Sequence, residues 1–266
     1  MNQKNLEFLK DQIKYTGFGE TLENTLKEKM LKGENDFKIN HEVKFGGDTL
    51  SAAMNFKKST ESDMYFFNSY NLKLQKESEG PALSQTFYIN KEHNITLKEA
   101  YNLIEGRAVN KDLKTKDGQV YNAWLKMDFK DADTNGNFKL KQYHQNYGYD
   151  LEASLAKLPI KELQYPDTKD SLMASLKKGN VQSVNFVVDN KEQKHFVSAN
   201  PHFKTVTVFD ENMKRVNTRE SKDQKQETNI EKSVSKEIKQ KAEKETPGNN
   251  AGDEPPTKKR RQAKAI

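Results

Sequence analysis

The chain has 266 residues, 33% of them apolar and 32% charged, and its 45 Lys and Arg against 39 Asp and Glu leave a formal charge of +6. That length can bury one large core or two small ones, but a mean hydropathy of −1.03 makes the whole unusually polar for a globular protein. With no cysteine, a disulfide framework, a thiol nucleophile and a Cys-based zinc or iron–sulfur site are excluded.

The N-terminal stretch MNQKNLEFLKDQIKY lacks the apolar centre of a signal peptide. No apolar run approaches the roughly 18 residues that span a bilayer, so the expected location is the cytoplasm. Leu6, Leu9 and Ile13 recur at helical spacing, and after Gly17 and Gly19 so do Leu22, Leu26 and Met30, with Gly33 as the stop. From Phe37 the period becomes two. Phe37, Ile39 and Val43 precede a Gly46-Gly47-Asp48 turn, and Leu50, Ala52, Met54 and Phe56 follow it, which is a hairpin pattern. A third strand is expected in MYFFNSYNLKL, with Phe66, Tyr70, Leu72 and Leu74 on one face, and a fourth in QTFYI at 85–89.

Thr96 and Glu99 form a capping box ahead of a short helix that Gly106 closes. In YNAWLKMDF, residues Tyr121, Ala123, Leu125, Met127 and Phe129 share an apolar face and the single tryptophan, Trp124, points the other way. Either a second layer covers Trp124 or it is exposed as a partner-binding residue. NFKLKQY answers as the next strand after Asn135-Gly136. A helix at DLEASLAKLPIKEL is bent or ended by Pro159, and SLMASLKKG is a further helix stopped by Gly179. Three short strands at 184–188, 195–197 and 206–209 follow, the last two separated by a turn at Asn200-Pro201.

Helix, terminal glycine, strand, turn, strand thus recurs at Gly33, Gly106 and Gly179. Repeated αββ units and convergent helix-stop chemistry both account for it. The expected fold class is α+β, short helices alternating with antiparallel hairpins, plus a disordered C-terminal tail. The segments are 1–90 (α-α-β-β-β-β), 91–216 (a second α+β region) and 217–266.

All 25 aromatic residues lie at or before Phe209, so the tail has nothing to anchor a core. It holds 13 Lys and Arg and 9 Asp and Glu, a balance of +4, which leaves 32 against 30, or +2, for residues 1–216. Its thin Ile230, Val234 and Ile238 stripe suits docking rather than folding. Lys258, Lys259, Arg260 and Arg261 form a basic cluster able to hold phosphates without reading bases.

Asp131, Asp133, Asn135 and Gly136 match an EF-hand loop at its first, third, fifth and sixth positions, but Gln142 stands where calcium needs a bidentate carboxylate. Strands rather than helices flank it, so a hairpin turn is expected and no metal. His41, His93, His144, His195 and His202 show no paired metal-ligand spacing. No nucleophile elbow, P-loop or dinucleotide fingerprint occurs. Tyr143, Tyr147 and Tyr149 among basic residues could stack on bases, though core packing is the expected role.

Six strings stand out together: DMYFFNSYNLKL at 63–74, QTFYINK at 85–91, KEAYNLIEGRAVNK at 98–111, YGYDLEASL at 147–155, SLKKGNVQSV at 175–184 and SANPHFKTVTVFDENMKRV at 198–216. As a set they resemble a family of domains of unknown function on conjugative transposons and other mobile genetic elements of Bacteroidetes, sometimes beside or fused to topoisomerase and primase modules. The resemblance covers most of residues 1–216 and assigns no catalytic residue and no cofactor. It implies a bacterial cytoplasm and a DNA-processing protein or DNA as partner. The expected function is a non-enzymatic accessory protein with a partner-binding body and a DNA-binding tail. The alternatives are a nucleic-acid-modifying or hydrolytic enzyme with a dispersed Asp/Glu/His site, and a regulatory protein-binding module without nucleic acid.

Overall fold

The computed structural model describes residues 1–78, 80–90 and 93–216, so the basic cluster and the Ile230 stripe lie outside the described residues. Helix α1 (Gln3–Ile13) starts at Asn2, whose side chain accepts from the Asn5 amide, and buries Leu6, Leu9 and Ile13. A π-helical turn, Lys14–Phe18, passes Gly17 and leads to α2 (Glu23–Lys32), which turns Leu26 and Met30 inward. The two helices cover one face of an antiparallel meander of β1 (Asp36–Phe45), β2 (Asp48–Lys58), β3 (Tyr65–Gln75) and β4 (Leu83–Tyr88).

Strand β3 departs from its expected phase. Asn55 pairs with Ser69 but Phe56 pairs with Phe67, so Asn68 is an extra residue and the strand bulges. Tyr65 and Phe67 therefore share the inner face with Tyr70, Leu72 and Leu74, while Phe66 turns outward at 48% exposure. The inner rings stack, with Phe37–Phe56 and Phe56–Phe67 centroids each 4.9 Å apart. The buried Tyr70 hydroxyl donates to the Ile95 carbonyl at 2.7 Å.

Helix α3 (Leu97–Ile104) begins with the expected capping box between Thr96 and Glu99. It ends with the Gly106 amide on the Leu103 carbonyl and the Arg107 amide on the Asn102 carbonyl, a Schellman arrangement. The following sheet is β5-β6-β7, from Val109–Lys114, Val120–Ala132 and Phe138–His144. Strand β5 carries only Val109 and Leu113 as apolar residues, too few for an alternation signal, and is held as an edge strand by β6.

Helix α4 (Leu151–Leu155) is capped by Asp150 and ends before Pro159; after a 3-10 turn, Lys161–Gln164, comes α5 (Pro166–Lys177). The third meander is β8 (Gln182–Val188), β9 (Lys191–Asn200) and β10 (Thr205–Phe209). Asp189 and Asn190, with φ of 50° and 59°, make the two-residue turn of the β8–β9 hairpin, so β9 begins earlier than its apolar residues announce. The recurring pattern is therefore helix plus meander, with four, three and three strands, rather than helix plus one hairpin.

The second sheet is a shared layer. Leu125 and Met127 of β6 complete the first core with α3 and the first sheet, so that core crosses the boundary at residue 90. From the opposite face of the same strand, Trp124 enters a second core with Leu155, Leu176, Val197 and Val208. Trp124 is 7% exposed with its ring edge-on to Tyr149 at 5.3 Å, which corrects its partner-binding assignment: the third meander supplies the covering layer. Among the described residues no helix is long and apolar enough to cross a membrane.

Gly179 shows how closely the meanders are joined. Its φ is +81°, and a Cβ there would stand 2.9 Å from the Ala108 carbonyl oxygen and 2.9 Å from Val109 Cγ2. Gly179→Ala is expected to cost at least about 2 kcal/mol, since the left-handed conformation alone costs about 1–2, and to lower Tm by roughly 4–8 °C in a calorimetric scan. Trp124 emission in the native chain is expected at short wavelength and resistant to iodide, shifting red only on unfolding; an iodide-accessible native Trp124 contradicts its burial.

Candidate functional site

The side chain of Asn102, 1% exposed near the end of α3, ties that helix to the end of α5. Its Nδ2 donates to the Lys178 carbonyl at 2.7 Å and to Asn180 Oδ1 at 2.9 Å, while its Oδ1 accepts from Arg107 Nη2 at 2.7 Å. The Arg107 guanidinium lies over the Tyr101 ring at 5.1 Å, with Nη1 3.7 Å from Glu105 Oε2. Glu105 Oε1 pairs with Lys76 Nζ at 2.9 Å, from the end of the first sheet. Tyr101 donates to Asp48 Oδ2 at 3.0 Å; burial, and then that carboxylate, push its phenol up to about 12.

Beside this network opens a cleft of about 420 Å³ between the second and third meanders. Glu105 and Arg107 come from the turn after α3, Lys126 from β6, Ser198 and Asn200 from β9, and Arg215 from the strand-like end after β10. Residues within 98–111, 175–184 and 198–216 supply most of its wall. Arg107, Lys126 and Arg215 stand there beside Glu105, with the Ser198 hydroxyl and the Asn200 amide between them, which makes the lining polar and hydrogen-bonding. Its signal in the sequence is only GRAVNK and the SANP string; Lys126 carries none, because one Lys on an alternating strand looks like any solvated residue.

The EF-hand-like residues are used as a hairpin clamp. Asp133 accepts from the Asn135 and Asn137 amides at 2.9 and 2.8 Å, which holds its carboxyl below the usual range, and Asp131 pairs with Lys139 at 2.9 Å. Asn137 Oδ1 in turn accepts from the Thr86 amide at 2.8 Å, and the buried Gln85 amide exchanges two hydrogen bonds with the Phe138 backbone. Turn and side chains thus fasten the second sheet to the edge of the first.

The histidines separate. Half-buried His41 meets Phe18 edge-on, with burial holding its imidazole below the ordinary value; His144 lies against Tyr121; His195 stacks on Phe186 at 4.3 Å; and His202 Nδ1 shares a 3.0 Å hydrogen bond with Tyr143. His93 sits in the loop before α3 with φ of 60°. Among the described residues no three His, Asp or Glu side chains gather at metal-binding distance. Tyr143 and Tyr149 pack at the second core, whereas Tyr147 is 37% exposed, its hydroxyl donating to the His202 carbonyl at 2.8 Å and its ring facing Lys204 Nζ at 4.6 Å.

No family model matches the chain, and no curated protein or solved structure matches it either.

The hydrogen bonds of Asn102 and Arg107 form one coupled set. Asn102→Ala and Arg107→Ala are each expected to lower unfolding free energy in urea by about 1–3 kcal/mol. The double variant should cost less than the sum by roughly 0.5–3 kcal/mol; strict additivity would contradict the shared network.

Proposed function

We propose that this chain is a non-enzymatic accessory protein of a bacterial mobile genetic element, acting in the cytoplasm. Its folded body engages a DNA-processing protein, and Lys258, Lys259, Arg260 and Arg261 hold nucleic acid through its phosphates. The observation that carries the reading is the cleft whose cationic wall is assembled from three of the resemblance strings. A concave, polar, cation-lined surface between packed layers suits an acidic segment of a partner better than a base edge. The nearly neutral body, 32 positive against 30 negative charges in residues 1–216, leaves long-range attraction to nucleic acid to the terminal cluster.

Neutralising the cluster in the full chain (Lys258→Gln, Lys259→Gln, Arg260→Gln, Arg261→Gln) is expected to weaken duplex binding at low salt. The slope of log K against log salt should fall by roughly 3–4, about 0.9 for each phosphate that no longer meets a cation. Separately, Lys126→Glu with Arg215→Glu should abolish capture of a host DNA-processing protein in nuclease-treated pull-downs. Unchanged affinity, slope and capture would overturn the reading.

A further inference from the structure

The first sheet has a second face. Helices α1, α2 and α3 cover its inner side, and the second sheet contributes to a core on each face, whereas no outward residue of β1–β4 belongs to either core. The register places its side chains in rows. Asp36 on β1, Lys57 on β2 and Phe66 on β3 form the first; Lys38, Asn55, Ser69 and Tyr88 then run in line across all four strands; Asn40, Ala53, Asn71 and Thr86 form the row below. Across the four strands such a row spans about 14 Å, and successive rows lie about 7 Å apart.

Two aromatic rings stand on this face, Tyr88 at 68% exposure and Phe66 at 48%. The bulge at Asn68 is what turns Phe66 out of the core, so its exposure is built into the backbone. Lys38, Lys44, Lys57 and Lys73 share the face with only Asp36 and Glu42 among its outward acids, and none of the four ammonium groups has an ion-pair partner among the described residues. Elsewhere many lysines are paired, as Lys10 is with Glu23 and Lys111 with Glu99. Between rings and lysines the amides are held in place. Asn55 Nδ2 donates to Ser69 Oγ at 3.1 Å, Asn71 Nδ2 donates to Thr86 Oγ1 at 3.1 Å, and Ser84 Oγ donates to Asn71 Oδ1.

We infer that the open face of the first sheet is a binding platform for single-stranded nucleic acid, with Tyr88 and Phe66 stacking on unpaired bases and Lys38, Lys57 and Lys73 holding the backbone. Stacking needs a free base face, which a duplex keeps inside its own stack, so exposed rings favour the unpaired strand. An acidic peptide would use the lysines but has no use for two rings standing free of the sheet. The inference shares with the proposed function only the class of ligand; the platform lies near the opposite end of the chain from the terminal cluster.

The test measures anisotropy of labelled oligodeoxythymidylate and of a mixed-sequence duplex with four full-length forms: native, Phe66→Ala/Tyr88→Ala, Lys38→Glu/Lys57→Glu, and the chain neutralised at 258–261. All changes on the sheet are at outward positions, and circular dichroism and Tm confirm folding. The ring variant is expected to weaken single-strand binding at least about fivefold while leaving the duplex within about twofold, and the lysine variant to weaken both. Single-strand affinity unchanged in the ring variant overturns the platform. If binding is lost only on neutralising 258–261, the platform falls and the proposed role of the tail stands; the reverse result sinks the role of the tail alone. Displacement of the strand by poly-glutamate from the native and the ring variant with equal affinity would assign the face to an acidic protein segment and overturn the inference.

Discussion

The hydrogen bonds of one buried amide, Asn102, tie the second helix-and-meander unit to the third, and ion pairs of the adjoining Glu105 reach the first. The donor side of Asn102 is spent on the end of α5 and its acceptor side on Arg107, which reaches Glu105 and through it Lys76 of the first unit. A buried amide left without these partners would carry its full desolvation cost, so the second and third units are held together beside the cleft that opens between them. The same junction explains why Gly179 admits no side chain: α5 ends against the start of β5, and the Asn180 amide oxygen must reach Asn102.

The second constraint is that β6 is apolar on both faces. Leu125 and Met127 need the first unit and Trp124 needs the third, so neither outer unit can leave without exposing a large buried surface. The Gln85 and Asn137 side chains add hydrogen bonds where two sheet edges meet, closing edges that would otherwise offer unpaired backbone groups. The first unit is thereby held by one sheet face, and the residues of its other face join neither core.

The helices, their glycine stops and most strands are legible in the sequence because alternation and capping act over a few neighbouring residues: Thr96 with Glu99 and the Gly46-Gly47 turn are local facts. What escapes depends on partners distant in sequence. An unbroken period of two puts Phe66 in the core, and only the pairing with β2 reveals the extra residue at Asn68. Apart from the buried Val109, the side chains of β5 and of the first half of β9 sit partly or wholly in solvent, so these segments lack an apolar face and pairing alone makes them strands. The cleft is still less legible: its residues are ordinary cations and hydroxyls, brought together by three strings, the first and last of them about 100 residues apart in the chain.

Net charge conceals how the ions are used. A balance of 32 against 30 over residues 1–216 describes a neutral body only if every charge is equivalent. Charges already paired at about 3 Å contribute little field beyond a Debye length, as with Lys111 and Glu99, so the field a ligand meets comes from the cations left without partners. On the outer face of the first sheet those are lysines flanking exposed rings, and the hydroxyl and amide rows between them are tied to one another rather than to the ammonium groups. A nearly neutral fold can therefore present a locally positive, aromatic surface. Its polarity is set by the register, which leaves Lys38 opposite Asn55 and Lys73 between Ser51 and Ser84, and only Lys57 opposite an acid, Asp36.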